Sequence, residues 1–133
     1  MKIHKAILAL FLAAGFLTSC ATLPNETANI TVAEFQINVF DVAVMLYCLD
    51  NGGEYPTTKQ GLSALVEKTN IPPVPINFPQ NGYLTVAQIP LDPWGNPYIY
   101  SAPGKNGNLF EIRSAGPDGI VNTEDDITNK ERF

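Results

Sequence analysis

The stretch Leu91-Asp92-Pro93-Trp94-Gly95-Asn96-Pro97-Tyr98 carries the chain's single Trp and two of its eleven Pro. Asp-Pro and Asn-Pro steps favour turns, because a residue before Pro is pushed out of the helical region. Gly95 supplies a positive-φ position at no steric cost. These features describe a tight corner holding a large aromatic, and the plain reading is a hairpin corner with a core Trp. Tyr98-Ile99-Tyr100 then alternates as a strand does, giving a strand over Pro97–Ala102. Pro103-Gly104-Lys105-Asn106-Gly107-Asn108 is a turn, and Leu109–Ser114 is a second strand antiparallel to the first.

Upstream of this corner lies a long helix. Thr31-Val32-Ala33-Glu34 fits a capping box, so the helix is expected from Thr31 to about Asp50, roughly 28 Å long. Asn51-Gly52-Gly53 ends it. Val32, Phe35, Val39, Val42, Leu46 and Leu49 recur at helical spacing and form one apolar face. Ile37, Phe40, Val44, Tyr47 and Cys48 form a second, more than one small sheet can cover. Either a partner meets this second face, through Phe40 and Val44, or a loop wraps over it. Thr57 and Gln60 repeat the capping-box pattern and place a short helix over Thr58–Glu67. Thr69–Gln80 has four Pro and no period. It reads as an extended loop laid over apolar surface through Ile71, Val74, Ile76 and Phe78. The fold class is α+β, a long N-terminal helix packed on a small antiparallel sheet.

The first residues stand apart. Lys2 and Lys5 precede an apolar run from Ala6 to Leu17, the length of a signal-peptide core and short for a bilayer span. It ends at Leu17-Thr18-Ser19-Cys20, which resembles the lipobox of bacterial lipoproteins. In that family the Cys is acylated and the chain is cut before it, so acyl chains such as palmitate hold the protein to a membrane. An ordinary secretory signal with a chance Cys is the plainer alternative. The organisation is therefore a lipoprotein signal peptide over 1–19, a tether over 20–30 and a globular domain over 31–133. With Cys20 lipidated, Cys48 is the one remaining thiol and reads as a buried hydrophobe. The chain has 133 residues, a formal charge of −5 and no basic patch, so nucleic acid is not a partner.

The last loop, Ser114-Ala115-Gly116-Pro117-Asp118-Gly119-Ile120-Val121-Asn122-Thr123-Glu124-Asp125-Asp126-Ile127, holds four carboxylates. By spacing it is either a solvated acidic turn or a hard-oxygen site for Ca²⁺, with Asp118 opposite Asp126. It is not an EF-hand pattern. The one His, His4, lies in the signal peptide. A Ser-His or Cys-His apparatus and a His-based zinc site are therefore excluded.

Leu49-Asp50-Asn51-Gly52-Gly53-Glu54-Tyr55-Pro56-Thr57-Thr58-Lys59-Gln60-Gly61-Leu62 occurs in order with the Leu91–Tyr98 block, with Ser114 to Asp118-Gly119, and with Asp126-Ile127. Together these blocks resemble the globular domain of the major pseudopilin of bacterial type II secretion, the general secretion pathway protein G family, from about Glu34 to Ile127. The resemblance implies a helix on a three-stranded sheet, a structural role in a secretion filament, no catalysis, and Ca²⁺ in the final loop. It assigns Asp118 and Asp126 as side-chain ligands and makes the Ser114 and Ala115 carbonyls plausible additions. Asp125 stands where that family usually has an uncharged residue. Pseudopilins also carry Gly-Phe-Thr-Leu-x-Glu before a long apolar helix. Here Gly15-Phe16-Leu17-Thr18-Ser19-Cys20 has Cys in place of Glu, and the apolar run precedes the site. The expectation is a lipid-anchored pseudopilin-like domain, facing the periplasm from the outer membrane or lying at the cell surface. Its partners would be pseudopilins or envelope secretion components. A free-standing calcium-stabilised binding lipoprotein is the alternative.

Overall fold

The computed structural model describes residues 24–129. The signal segment and Cys20 lie outside them. Helix α1 runs Pro24–Asp50, followed by strands β1 (Ile99–Ser101), β2 (Glu111–Ser114) and β3 (Ile127–Thr128). The sheet order is β1-β2-β3, antiparallel throughout, with Tyr100 opposite Ile112 and Ser114 opposite Ile127. This is the expected long helix on a three-stranded antiparallel sheet.

The helix starts earlier than its capping pattern suggests. Pro24 suits a first helical turn, where its missing N–H costs nothing, and Glu26 lies at the positive end of the helix dipole. Thr31 sits inside the helix, and its hydroxyl donates to the Thr27 carbonyl at 3.0 Å instead of capping. Residues Pro24–Ile30, read as tether, are thus helical. The C-terminal end is as expected: the Asn51 side chain donates to the Tyr47 carbonyl at 2.9 Å, and the Gly53 N–H donates to Cys48.

The two apolar faces of α1 exchange roles. Ala33, Ile37, Phe40, Ala43, Val44 and Tyr47 turn inward and are buried. Phe40, 3% exposed, meets Tyr98 edge-on at 5.1 Å, and Val44 is fully buried. They are core residues, which corrects the expectation that they meet a partner. The other stripe, Val32, Phe35, Val39, Val42, Leu46 and Leu49, lies in solvent, with Phe35 68% and Leu49 73% exposed. The buried face carries Phe40 and Tyr47 into the aromatic core, where they meet Tyr98 at 5.1 Å and Tyr83 at 5.6 Å.

The capping box at Thr57 and Gln60 forms reciprocally, by Thr57 N–H to Gln60 Oε1 at 2.8 Å and Gln60 N–H to Thr57 Oγ1 at 3.2 Å. It closes a turn, and only Leu62–Leu65 is helical, as a 3-10 turn. Gln60 reaches onward to the Ile71 and Pro73 carbonyls at 2.6 and 2.8 Å. The proline-rich loop is therefore pinned mainly by polar bonds. Asn77 binds Asn51 and Asp50, while Val74 and Ile76 point outward.

Candidate functional site

The Asp-Pro-Trp-Gly-Asn-Pro corner is built around Asp92. This side chain is 4% exposed and its Oδ1 accepts the Trp94 and Asn96 N–H groups at 3.1 and 2.8 Å. Its Oδ2 accepts the Ser114 hydroxyl at 2.6 Å, and Ser114 Oγ accepts the Gly116 N–H at 3.2 Å. The corner is thereby tied to the end of β2, where the acidic loop begins. Trp94 is half-buried. Asp92 carries the structural role, and the corner's conspicuous aromatic conceals it.

The loop from Ala115 to Asp126 folds back on itself. Gly116 has φ 63° and sits so close to the Asp125 carbonyl that an added Cβ would lie 2.2 Å from its oxygen. Asp118 N–H donates to Asp125 Oδ2 at 2.9 Å, and Ile120 N–H donates to Asp118 Oδ1 at 2.7 Å. Thr123 Oγ1 donates to Asp125 Oδ1 at 2.6 Å. The Thr123 hydroxyl, and after it the Asp118 N–H, hold the Asp125 carboxyl below its ordinary pKa. Asp126 Oδ2 accepts the Asn122 N–H at 2.8 Å and the Arg113 guanidinium at 2.5 Å. Asp126 Oδ1 is buried with no hydrogen-bond donor.

Asp118 and Asp125 meet within the loop, Asp126 follows them on Arg113, Ser114 ends β2 and Ala115 opens the loop. Among the described residues, no three His, Cys, Asp or Glu side chains gather so as to hold a metal by themselves. The donor chemistry nonetheless suits a hard cation. Ca²⁺ takes carbonyls and carboxylates together, and an Asp126 oxygen is buried without a donor.

Two participants were missed at the level of sequence. Arg113 joins Glu111 to Asp126, and Lys105 donates to Asn122, which adopts φ 68°. The alternation of β2 contained the signal. Glu111 and Arg113 share the face opposite Ile112, and Arg113 pairs with Thr128, just past Asp126.

The second surface of note is the apolar stripe of α1. Val39, Val42, Ala43 and Leu46 line a shallow groove of about 370 Å³ with Tyr83 and Leu84. Over Asn25–Asp50 the helix is long and apolar enough to cross a membrane by length and composition, although its other face is the domain's core.

The family model for type II secretion system protein G matches residues 22–130. Type II secretion system core protein G of Escherichia coli K12 is 41% identical over 128 residues, covering 92% of this chain and 85% of that protein. The proteins of the same name from Pseudomonas aeruginosa and Vibrio cholerae are 42% and 41% identical, covering 78% and 80% of this chain and 72% and 75% of theirs. The crystal structure of the major pseudopilin from the type 2 secretion system of enterohaemorrhagic Escherichia coli superposes with a TM-score of 0.69 at 41% identity, covering 79% of this chain and 85% of that one. The chain, with its helix on a three-stranded sheet, belongs to the type II secretion system protein G family.

Proposed function

We propose that this protein is a non-catalytic structural component of type II secretion whose α1 stripe docks on the corresponding apolar helices of neighbouring pseudopilins. The observation that carries this is the exposure of Val32, Phe35, Val39, Val42, Leu46 and Leu49 along one helix face. Six large apolar side chains in a row on the surface of a small domain mark an interaction site. The spacing suits helix-on-helix packing. Cross-linking the full chain in its own cells, then purifying it from solubilised membranes, tests the reading. Pseudopilins in the eluate are expected. A lone monomer would overturn it and favour a binding role outside secretion.

Two further features complete the proposal. Acylation at Cys20 anchors the protein to the outer membrane. It is supported by Leu17-Thr18-Ser19-Cys20 at the end of the apolar run, residues outside those described. Mass spectrometry of the mature N-terminus is expected to find an acylated Cys20, and an unmodified terminus elsewhere would remove the anchor. Ca²⁺ binds the final loop through Asp118 and Asp126, with the Ser114 and Ala115 carbonyls and Asp125 nearby. When bound it supplies charge balance that closes the loop. The buried, donorless Asp126 Oδ1 supports this. Chelation is expected to lower the melting temperature, and Asp118→Ala to abolish that difference. Identical melts of the unmodified protein with calcium and with chelator would remove the ion.

A further inference from the structure

Asp126 is shared. Its Oδ2 is held by Arg113 Nη1 at 2.5 Å, while its Oδ1 is buried and has no donor. Arg113 is itself fixed from behind, since Nε and Nη2 donate to Glu111 Oε1 at 2.9 and 2.6 Å. Nη1 also reaches Asn122 Oδ1 at 3.1 Å, and the Lys105 ammonium donates to the same oxygen. The ion pairs are shielded from water, with Arg113, Glu111 and Asp126 side chains at most 12% exposed. Screening of charge is weak in such a place. Burial opposes the Arg113 charge, but Glu111 and Asp126 outweigh it and raise the guanidinium's pKa. One carboxylate thus has a permanent cation on one oxygen and an open position on the other.

We infer that Arg113 sets the calcium affinity of the loop: its guanidinium takes one side of Asp126, holds the loop closed without metal, and weakens binding of the divalent ion. The inference rests on the calcium reading above. The physical basis is repulsion between two cations bridged by a single carboxylate. Charge count is also a main determinant of calcium affinity in oxygen sites. Removing Arg113 frees Asp126 Oδ2, leaves Glu111 unpaired beside the loop, and makes the site more negative. It also removes the link that spans β2 and the loop when no ion is present.

The test is titration of the full chain in detergent with calcium chloride by calorimetry, using the unmodified protein, Arg113→Gln and Arg113→Lys. Arg113→Gln is expected to bind Ca²⁺ at least about tenfold more tightly. Arg113→Lys, which keeps the charge, should remain near the unmodified value. In chelator Arg113→Gln should melt lower than the unmodified protein, and saturating calcium should narrow that gap. Binding by Arg113→Gln alone would overturn the calcium reading of the unmodified protein, and the inference with it. Equal affinity in all three proteins would overturn it and leave the calcium site standing. No binding by any of them would overturn the calcium reading, and this inference with it.

Discussion

Replacing Asp92 should separate the Asp-Pro-Trp corner from the acidic loop. The carboxylate accepts three hydrogen bonds, from Trp94 and Asn96 N–H groups and from the buried Ser114 hydroxyl. A bond to a charged acceptor contributes roughly 1.5–3 kcal/mol, and such contributions are not additive within one network. In Asp92→Ala the two N–H groups are only partly buried and recover some solvation, whereas the Ser114 hydroxyl is left inside the protein. The expected loss is about 3–5 kcal/mol, or a fall in Tm of more than about 12 °C for a domain of this size. Asp92→Asn keeps the Oδ1 acceptor. Its amide would donate to Ser114 Oγ, which already accepts from Gly116, so the hydroxyl hydrogen loses its place and the loss is about 1–2 kcal/mol. Urea and thermal denaturation of both variants, followed by circular dichroism in chelator, reads these values. A loss below about 1 kcal/mol in Asp92→Ala, or equal losses in the two variants, would refute the assignment of Asp92 as the link between corner and loop.

Phe40→Ala should cost about 3–5 kcal/mol by cavity formation, whereas Phe35→Glu on the exposed stripe should change stability by less than about 0.5 kcal/mol; chemical denaturation of the pair checks which face is core. Gly116→Ala should destabilise the domain by at least about 2 kcal/mol, through a positive φ and a clash with the Asp125 backbone, and a variant as stable as the unmodified protein would mean the turn at Gly116 is otherwise arranged. At high pH, stability should hold to about pH 10 and then fall. Burial, followed by Asp50, pushes Tyr83 up to about 12, and burial raises Tyr98 and Tyr100 as well. The unfolded tyrosines ionise first, near 10, so stability is present below that value and is lost as pH rises through the folded values. Tyr83→Phe should flatten part of this fall, and denaturation midpoints from pH 8 to 12 measure it.

Much of the fold was legible in local chemistry. The corner at Asp92-Pro93, the strand pair either side of Gly104 and Gly107, the end of the helix at Asn51 and the capping box of Thr57 with Gln60 each depend on residues a few positions apart. Such features are visible without tertiary information. Two apolar faces on α1 were equally legible, but not which of them is core. Periodicity marks a stripe and carries no information about what faces it. The available sign was aromatic: two of the helix's three rings, Phe40 and Tyr47, lie on the buried face. The capping signal at Thr31 misled because Pro24 and Glu26 already start the helix a turn and more earlier. At the candidate site, the acidic residues were evident as a cluster. The role of Arg113 was half visible: alternation sets it beside Glu111 on one face of β2, but its reach to Asp126 depends on register and on a loop whose closure no spacing rule describes. Asp92 was hidden for a similar reason, its partner Ser114 lying 22 residues on, at the end of β2.

On the proposed function, the exposed stripe of α1 is where this protein meets the secretion machinery. A photo-cross-linking amino acid placed at Val42, 53% exposed on the stripe, tests it directly in living cells, with the same group at exposed Ile76 as the comparison. Adducts with pseudopilins are expected from position 42 and none from position 76, with Phe35→Glu abolishing the former. Adducts of equal yield from both positions, or from position 42 unaffected by Phe35→Glu, would contradict it.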